Sequence, residues 1–452
     1  MRIESLNQAK PCIIWPNLAR LACRLRMAVS AVALGMTIGA PCASALEING
    51  LDDLNTATIA SQDRAQYWSS GASRADRTFA TPDGIRMGNY LVLPEAGAVV
   101  VFDDNIFAHD TNKQSDIRTE TSGEVLLKSS LPRHVLDFSL DGRIVNYLEH
   151  TELDSANIRA KLQGALHFDN ATTLSATALS ALESEDSSAP TYPSQAIGPI
   201  SVFHNRVSAG ITRDVGRLYG TISSAAESWS YGDENSANGP LPNSGGRDNQ
   251  IYSGQIRSGY RISPGFDFVT KLRTFRQENA GTAKLDRDAW GYEALAGLAF
   301  ETNPMLRWHI MGGYGVRDFD AAKISNFATT LLEADVQWLP TQRLSVFAAV
   351  SQQILEETDN ASSAIIQTGG QLRAEYELYH NLVLTGGVEL RQDDYKGIDR
   401  TDIIYSARTE LEYLFSKNWL FTFGYEHQVR DSSDDSNDMH RNRFMLGAKL
   451  RF

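Results

Sequence analysis

Phe444-Met-Leu-Gly-Ala-Lys-Leu-Arg-Phe452 alternates apolar side chains with small or charged ones and stops on a phenylalanine. Successive strand side chains point to opposite sides, so Phe444, Leu446, Ala448, Leu450 and Phe452 share one face, and Met445, Gly447, Lys449 and Arg451 the other. One face suits hydrocarbon and the other suits water. On a soluble sheet such a strand is an open edge, whereas in a closed barrel it pairs with the first strand and no edge remains. The segment predicts the closing strand of an all-β protein, a transmembrane antiparallel up-and-down β-barrel. The alternative is a half-buried strand of a soluble sheet.

Reading backwards from this strand, short and long connections take turns. Ser416-Lys417-Asn418, Tyr379-His380-Asn381, Leu339-Pro340-Thr341, Ser263-Pro264-Gly265 and Asp169-Asn170-Ala171 are short and rich in turn formers. The stretches 184–200, 232–249, 278–286, 356–363, 392–400 and 430–440 are longer and polar. Outer-membrane barrels have short periplasmic turns and long external loops, and parity requires the connection before the last strand to be external. About eighteen strands are expected on this pattern, the first near 97–108 and the last near 440–452. Facing agrees. Trp419, Phe421, Phe423 and Tyr425 share one face, as do Trp290, Tyr292, Ala294, Ala296, Leu298 and Phe300, with aromatics at the ends as in an interfacial girdle. Leu306, Trp308, Ile310, Tyr314 and Val316 repeat the pattern, with Arg307 and His309 turned the other way.

Arg20, Arg24 and Arg26 precede a short apolar run from Met27 to Ala40 and the small residues Ala43-Ser44-Ala45. This order predicts a secretory signal peptide over residues 1–45. All three cysteines, Cys12, Cys23 and Cys42, fall within it, so the exported chain is expected to lack disulfides and thiolate sites. The net charge of −13 argues against nucleic acid as a partner, and removing the Arg-rich leader makes the remainder more acidic. Mean hydropathy is −0.29, which in a barrel is uninformative because only alternate residues meet lipid. Residues 46–95 lack alternation and are expected to form a periplasmic N-terminal extension. The barrel is assigned to 96–452.

Gly97-Ala-Val-Val-Val-Phe-Asp103-Asp104-Asn105-Ile106-Phe107 resembles the opening strand of an outer-membrane β-barrel porin family of proteobacteria, often found beside polysaccharide export genes. Residues 286–293 and Gly312-Gly313-Tyr314-Gly315 look like its repeated hairpins. The resemblance implies a barrel of the porin kind tied to a saccharide or exopolysaccharide, and supplies no catalytic residues. By resemblance to other barrels, Phe452 looks like the assembly signal read by the barrel-assembly machinery.

Functional content is expected in charge on the lumen side. Parity places Arg206, Arg257, Arg261, Lys271, Arg273, Glu293 and Arg307 there on the middle strands, and Glu333, Asp335 and Arg343 beyond them. Arg373, Glu375, Glu377, Glu389, Arg391, Arg408, Glu410, Glu412 and Glu426 follow toward the C-terminus. With cations in the middle strands and glutamates later, opposite walls would differ in sign, and a transverse field would orient solutes. The competing reading is a set of stabilising cross-strand pairs. Asp103, Asp104 and Asn105 form a strand-end cap or turn more readily than a cation site, for which the oxygens are too few. His150, His204, His309 and His427 show no spacing to a nucleophile, and no hydrolase motif appears. The expected function is a porin-like channel with no enzyme activity, cofactor or metal. A non-conducting scaffold or surface anchor, or an outer-membrane hydrolase, is the alternative. Outer-membrane lipid, lipopolysaccharide, the assembly machinery and polysaccharide export components are the expected partners.

Overall fold

The computed structural model describes residues 82–452 except 186, 188, 190–191, 193–195, 197, 233–234, 237–238, 241–246, 280–286, 304 and 356–363. The expected leader, the three cysteines and most of the expected N-terminal extension lie outside the described residues. A short strand, β1 (Ile85–Met87), is followed by β2 (Tyr90–Asp103), β3 (Asp116–Ser129), β4 (His134–Tyr147), β5 (Ser155–His167), β6 (Thr172–Glu185), β7 (Ile200–Val215) and β8 (Leu218–Tyr231). A separate small hairpin, β9 (Asn235–Ser236) and β10 (Gly239–Pro240), interrupts the series. It resumes with β11 (Asn249–Ser263), β12 (Phe266–Asn279), β13 (Ala289–Asn303), β14 (Leu306–Phe319), β15 (Phe327–Thr341) and β16 (Leu344–Leu355). The last strands are β17 (Ala364–Tyr379), β18 (Leu382–Lys396), β19 (Arg400–Leu414), β20 (Trp419–Ser432) and β21 (Met439–Arg451).

Each long strand pairs antiparallel with its sequence neighbour, and β21 returns to β2 from Glu95↔Arg451 to Asp103↔Arg443. The result is a closed barrel of 18 antiparallel strands with β1 as an extra strand. Closure matters because a free edge in hydrocarbon leaves backbone groups without partners. The short turns and both ends of the barrel segment meet at one rim, where Phe452 N donates to Pro94 O (3.1 Å) and Lys417 pairs with Asp83. At Ser263↔Phe266 the chain reverses in two residues, and Gly265 takes φ 74°, which a side chain would oppose.

Several boundaries differ from the sequence expectation. The first barrel strand starts at Tyr90, inside the stretch assigned to the extension, and ends at Asp103 instead of near 108. Tyr90-Leu-Val-Leu-Pro94 is apolar on both faces, so no alternation marks it as strand. The stretch 392–400, expected as a loop, is mostly strand, with β18 reaching Lys396 and β19 starting at Arg400, and the loop expected over 430–440 is confined to 433–438, between the end of β20 at Ser432 and the start of β21 at Met439. A buried polar network supports these ends. Asp393 accepts from Gln367 Nε2 (2.9 Å) and Arg391 Nε (3.1 Å), while Asp402 accepts from Arg400 Nε (2.9 Å) and Ser432 Oγ (2.5 Å).

The two faces are distinguished by contacts that skip strands. Lys271 on β12 pairs with Glu333 on β15 across two intervening strands, which only the concave side allows. Directly paired residues share a face, so this fixes inward and outward for the whole wall. Phe421, Phe423, Phe444, Leu446, Trp290, Tyr292 and Tyr314 lie on the other face and are exposed. A Lys or Arg at the lipid midplane costs about 2–4 kcal/mol, which accounts for the segregation.

Candidate functional site

The inward wall is built from local pairs. Register places Arg206 opposite Glu227, with guanidinium and carboxylate 3.2 Å apart, and Arg257 opposite Lys271 and Thr221. Arg261 binds Asp214 (2.5 Å), and its guanidinium lies 4.9 Å from the Tyr219 ring centre. Arg273 and Arg317 both approach Glu293 (3.3 and 3.4 Å) and flank the Phe275 ring at 4.6 and 4.1 Å. Phe275 rests on Gly291, where an added Cβ would come within 1.9 Å of the ring. Arg307 pairs with Glu301 (2.8 Å) and His309 contacts Asp335.

On the later strands Arg373 pairs with Glu375, and Arg408 with Glu410 (2.8 Å). Glu426 lies between Arg443 (2.5 Å) and Arg408 (3.8 Å). Glu389 stands opposite Gln371 and Ser406, Glu377 opposite Val383, and Glu412 opposite Val383 and Thr422. Arg391 binds Asp393 (3.1 Å). Arg343 is not on a strand, because the ladder closes at Thr341↔Leu344 and leaves it in the turn.

The register also adds inward residues that the sequence reading omitted. Arg441 and Arg443 on β21 face inward beside Lys449 and Arg451, so the C-terminal wall is not uniformly acidic. Glu95, Glu124 and Asp141 stand in one row across β2, β3 and β4. Leu295, Met311 and Leu331 pack with Val269 as a buried apolar patch on the inward face, near the Lys271–Glu333 bridge. An apolar inward patch has no alternation signal to betray it. The inward wall is therefore a mosaic of ion pairs, and its charge is not divided between two opposite sides.

Asp103, Asp104 and Asn105 are engaged by protein groups. Asp103 accepts from Asn105 N (2.9 Å) and pairs with Arg118 (3.3 Å), and Asp104 accepts from Asn442 N (2.7 Å) and Nδ2 (2.6 Å). Asn105 Nδ2 donates to the carbonyls of His109 (2.6 Å) and His440 (3.0 Å), and its Oδ1 accepts from His109 N (3.1 Å). The segment is a clasp between β2 and β21. Among the described residues no group of three or more His, Cys, Asp or Glu is placed to hold a metal ion. His150 binds Asp116 (3.1 Å), His204 stacks on Trp229 (centroids 3.7 Å) and His427 bonds Asn442 (2.8 Å). In the outer loops, Arg276 holds the Asp320 carboxyl below its ordinary range, and Ser436 does the same for Asp434.

At mid-strand on β17, Arg373 faces inward with 52% of its side chain exposed, so the middle of the lumen has room for water around it. A closed barrel with an apolar exterior and a wet, ionic interior defines an outer-membrane β-barrel of the channel type. Residues 79–452 match the family described as "Putative beta-barrel porin 2", and the chain belongs to that family. It is a protein of the outer membrane. Among solved structures it is similar to Pseudomonas aeruginosa OpdL, with 12% identity over 81% of this chain and 100% of that one, TM-score 0.42. It is also similar to P. aeruginosa OccK2 (OpdF) in complex with glucuronate, at 10% identity over 82% and 100%, TM-score 0.44. P. aeruginosa OpdK with vanillate gives 10% over 80% and 99%, TM-score 0.43. No curated protein matches the chain.

Proposed function

We propose that the protein is a passive channel through which a small saccharide diffuses, with no turnover and no cofactor. The observation that carries this reading is Arg373, half exposed on the inward face at mid-height, in a wall whose other charges are largely paired. A wall of alternating donors and acceptors suits a neutral, polyhydroxylated solute, because each ion pair offers both partners for a hydroxyl. The aromatic surfaces of Trp229, Tyr231 and Tyr219 stand among these pairs on the inward face and add flat apolar area. Export of a longer exopolysaccharide, with export components as partners, is the extension of this reading that the family's gene context suggests. Assembly would proceed through the barrel-assembly machinery, and lipopolysaccharide would surround the external rim.

Purified protein in planar bilayers and in saccharide-loaded liposomes tests the proposal. Single-channel currents, with liposome swelling that falls as the saccharide lengthens, are expected. Absence of both would replace the channel with a non-conducting scaffold or surface anchor.

A further inference from the structure

Two inward triplets repeat on neighbouring parts of the wall. Leu372-Arg-Ala-Glu-Tyr-Glu-Leu-Tyr379 on β17 and Ala407-Arg-Thr-Glu-Leu-Glu-Tyr-Leu414 on β19 each present Arg, Glu and Glu to the lumen, and each runs toward the short-turn rim. The register aligns them level by level. Arg373 faces Gly387 and Gly387 faces Arg408; Glu375 faces Thr385 and Thr385 faces Glu410; Glu377 faces Val383 and Val383 faces Glu412. The strand between them contributes no charge at any of these levels. Along either strand the sign changes within about 7 Å, two residues of extended chain.

We infer that this wall carries a charge step along the channel axis, cationic at mid-height and anionic at the short-turn mouth, which makes the channel rectify and sets its ion selectivity. The inference rests on the channel reading above. A ladder built only for stability sets opposite charges across strands, since like charges on one level repel. Between β17 and β19 like levels carry like charge, and the pairs Arg373–Glu375 and Arg408–Glu410 run along the strands, although Arg408 also meets Glu426 across the ladder to β20. The step belongs to β17 and β19 and ends at β20, where Glu426 stands opposite Arg408 (3.8 Å) and binds Arg443 (2.5 Å), with Asp103 opposite Arg443 in turn. Glu410 and Glu412 stand opposite Gly424 and Thr422 on β20, and Lys449 and Arg451 lie further along β21 toward the same rim. Arg373 is half exposed, so the field reaches the water of the lumen and is not buried in the wall.

The consequence follows from ion supply. Cations concentrate at the acidic mouth and anions at the arginine level. A voltage that drives each inward from its own end fills the junction with carriers, and the opposite voltage depletes it. Current is therefore larger when the short-turn side is positive. Screening sets the range, since the Debye length falls from about 10 Å at 0.1 M salt to about 3 Å at 1 M.

Single-channel current–voltage curves of the full protein in symmetric potassium chloride test this, because each inserted channel rectifies whichever way it entered. Rectification at about 0.1 M that fades toward 1 M is expected. Reversal potentials in a salt gradient should move toward cations in Arg373→Gln/Arg408→Gln and toward anions in Glu377→Gln/Glu412→Gln, with rectification reduced in both. A folding defect would lower the number of inserted channels without moving the reversal potential of those that open. Ohmic wild-type currents at low salt, or two variants that shift the same way or not at all, overturn the inference and leave the channel standing. No current under any condition overturns the channel and the inference with it.

Discussion

The hairpin β13–β14 and the seam β21–β2 are both antiparallel pairs in one barrel, yet they are secured by opposite means. In the hairpin the partners are adjacent in sequence, and the backbones come so close that Gly313 leaves no room for a side chain. An added Cβ there would sit 1.8 Å from Ala294 O and 2.7 Å from Leu295 Cα. The seam joins residues 338 positions apart, and polar side chains fasten it at its far end: Asp104 to Asn442, and Asn105 to the His440 carbonyl. The cost of closing a loop grows with its length, though slowly, so the last pairing of a barrel needs specific anchors that a hairpin does not. Local pairs are held by shape and the long-range pair by directed hydrogen bonds.

The hairpin is most sensitive at Gly313. Gly313→Val should prevent β13 and β14 from keeping their register, because the obstruction is backbone and no rotamer relieves it. The expected outcome is loss of the heat-modifiable species on unboiled gels. Gly312→Ala, one residue away on the outward face, meets only Leu331 O at 4.0 Å and should fold normally. Equal behaviour of the two variants would remove the close approach from the account.

At the seam, Asn105→Ala removes three hydrogen bonds from a residue with no exposed surface. Each buried group left without a partner costs about 1–3 kcal/mol, so the folded barrel should unfold in urea well before the wild type while keeping its gel shift. Asp104→Ala should follow the same direction. An unchanged urea midpoint in both would show that the clasp contributes nothing to closure.

This contrast also explains what was legible in the sequence. Alternation in Phe444–Phe452, Trp290–Phe300 and Trp419–Tyr425 revealed strands and their facing because lipid imposes period two on any lipid-facing strand. Where that pressure is absent, the signal is absent. Tyr90–Pro94 is apolar on both faces, and the upper ends of β18 and β20 are mainly polar on both, so neither carries the alternation that marks a strand. The inward cations on β21 and the row Glu95–Glu124–Asp141 involve strands far apart in sequence, or pairs recognisable only once register is known. The same holds for the charge step, whose levels are defined across β18. Asp103-Asp104-Asn105 stood out as a motif, but its partner strand lay at the other end of the chain.

Phe452 bears on the seam from the other rim. Its N–H reaches Pro94 O, while its ring is exposed, so the side chain contributes little to the pairing itself. Deleting Phe452 should lower the amount of protein reaching the outer membrane, with the conductance of each assembled channel unchanged. Wild-type outer-membrane levels of the shortened chain would refute an assembly role for this residue.

The smallest effect is expected at a local turn. Asp169 Oδ1 accepts from Ala171 N (2.7 Å) and Thr172 N (2.6 Å) in the connection between β5 and β6, a local counterpart of what Asp104 does across the seam. Those N–H groups, Ala171 first, hold its carboxyl below the ordinary aspartate value of 3.8. A carboxyl whose folded value is depressed contributes stability above its unfolded value and loses it as pH falls through the folded one. Because the turn is solvent-exposed and closes a neighbouring pair, Asp169→Ala should speed unfolding in detergent only slightly at neutral pH. The difference from wild type should shrink as pH drops below about 4, where the carboxyl of the unfolded chain takes up its proton while the folded one still holds its charge. A gap that stays constant down to about pH 3 would mean that the charge of Asp169 is irrelevant and that only the shape of the turn is at stake. A gap as large as that of Asn105→Ala would remove the distinction between local and long-range anchors.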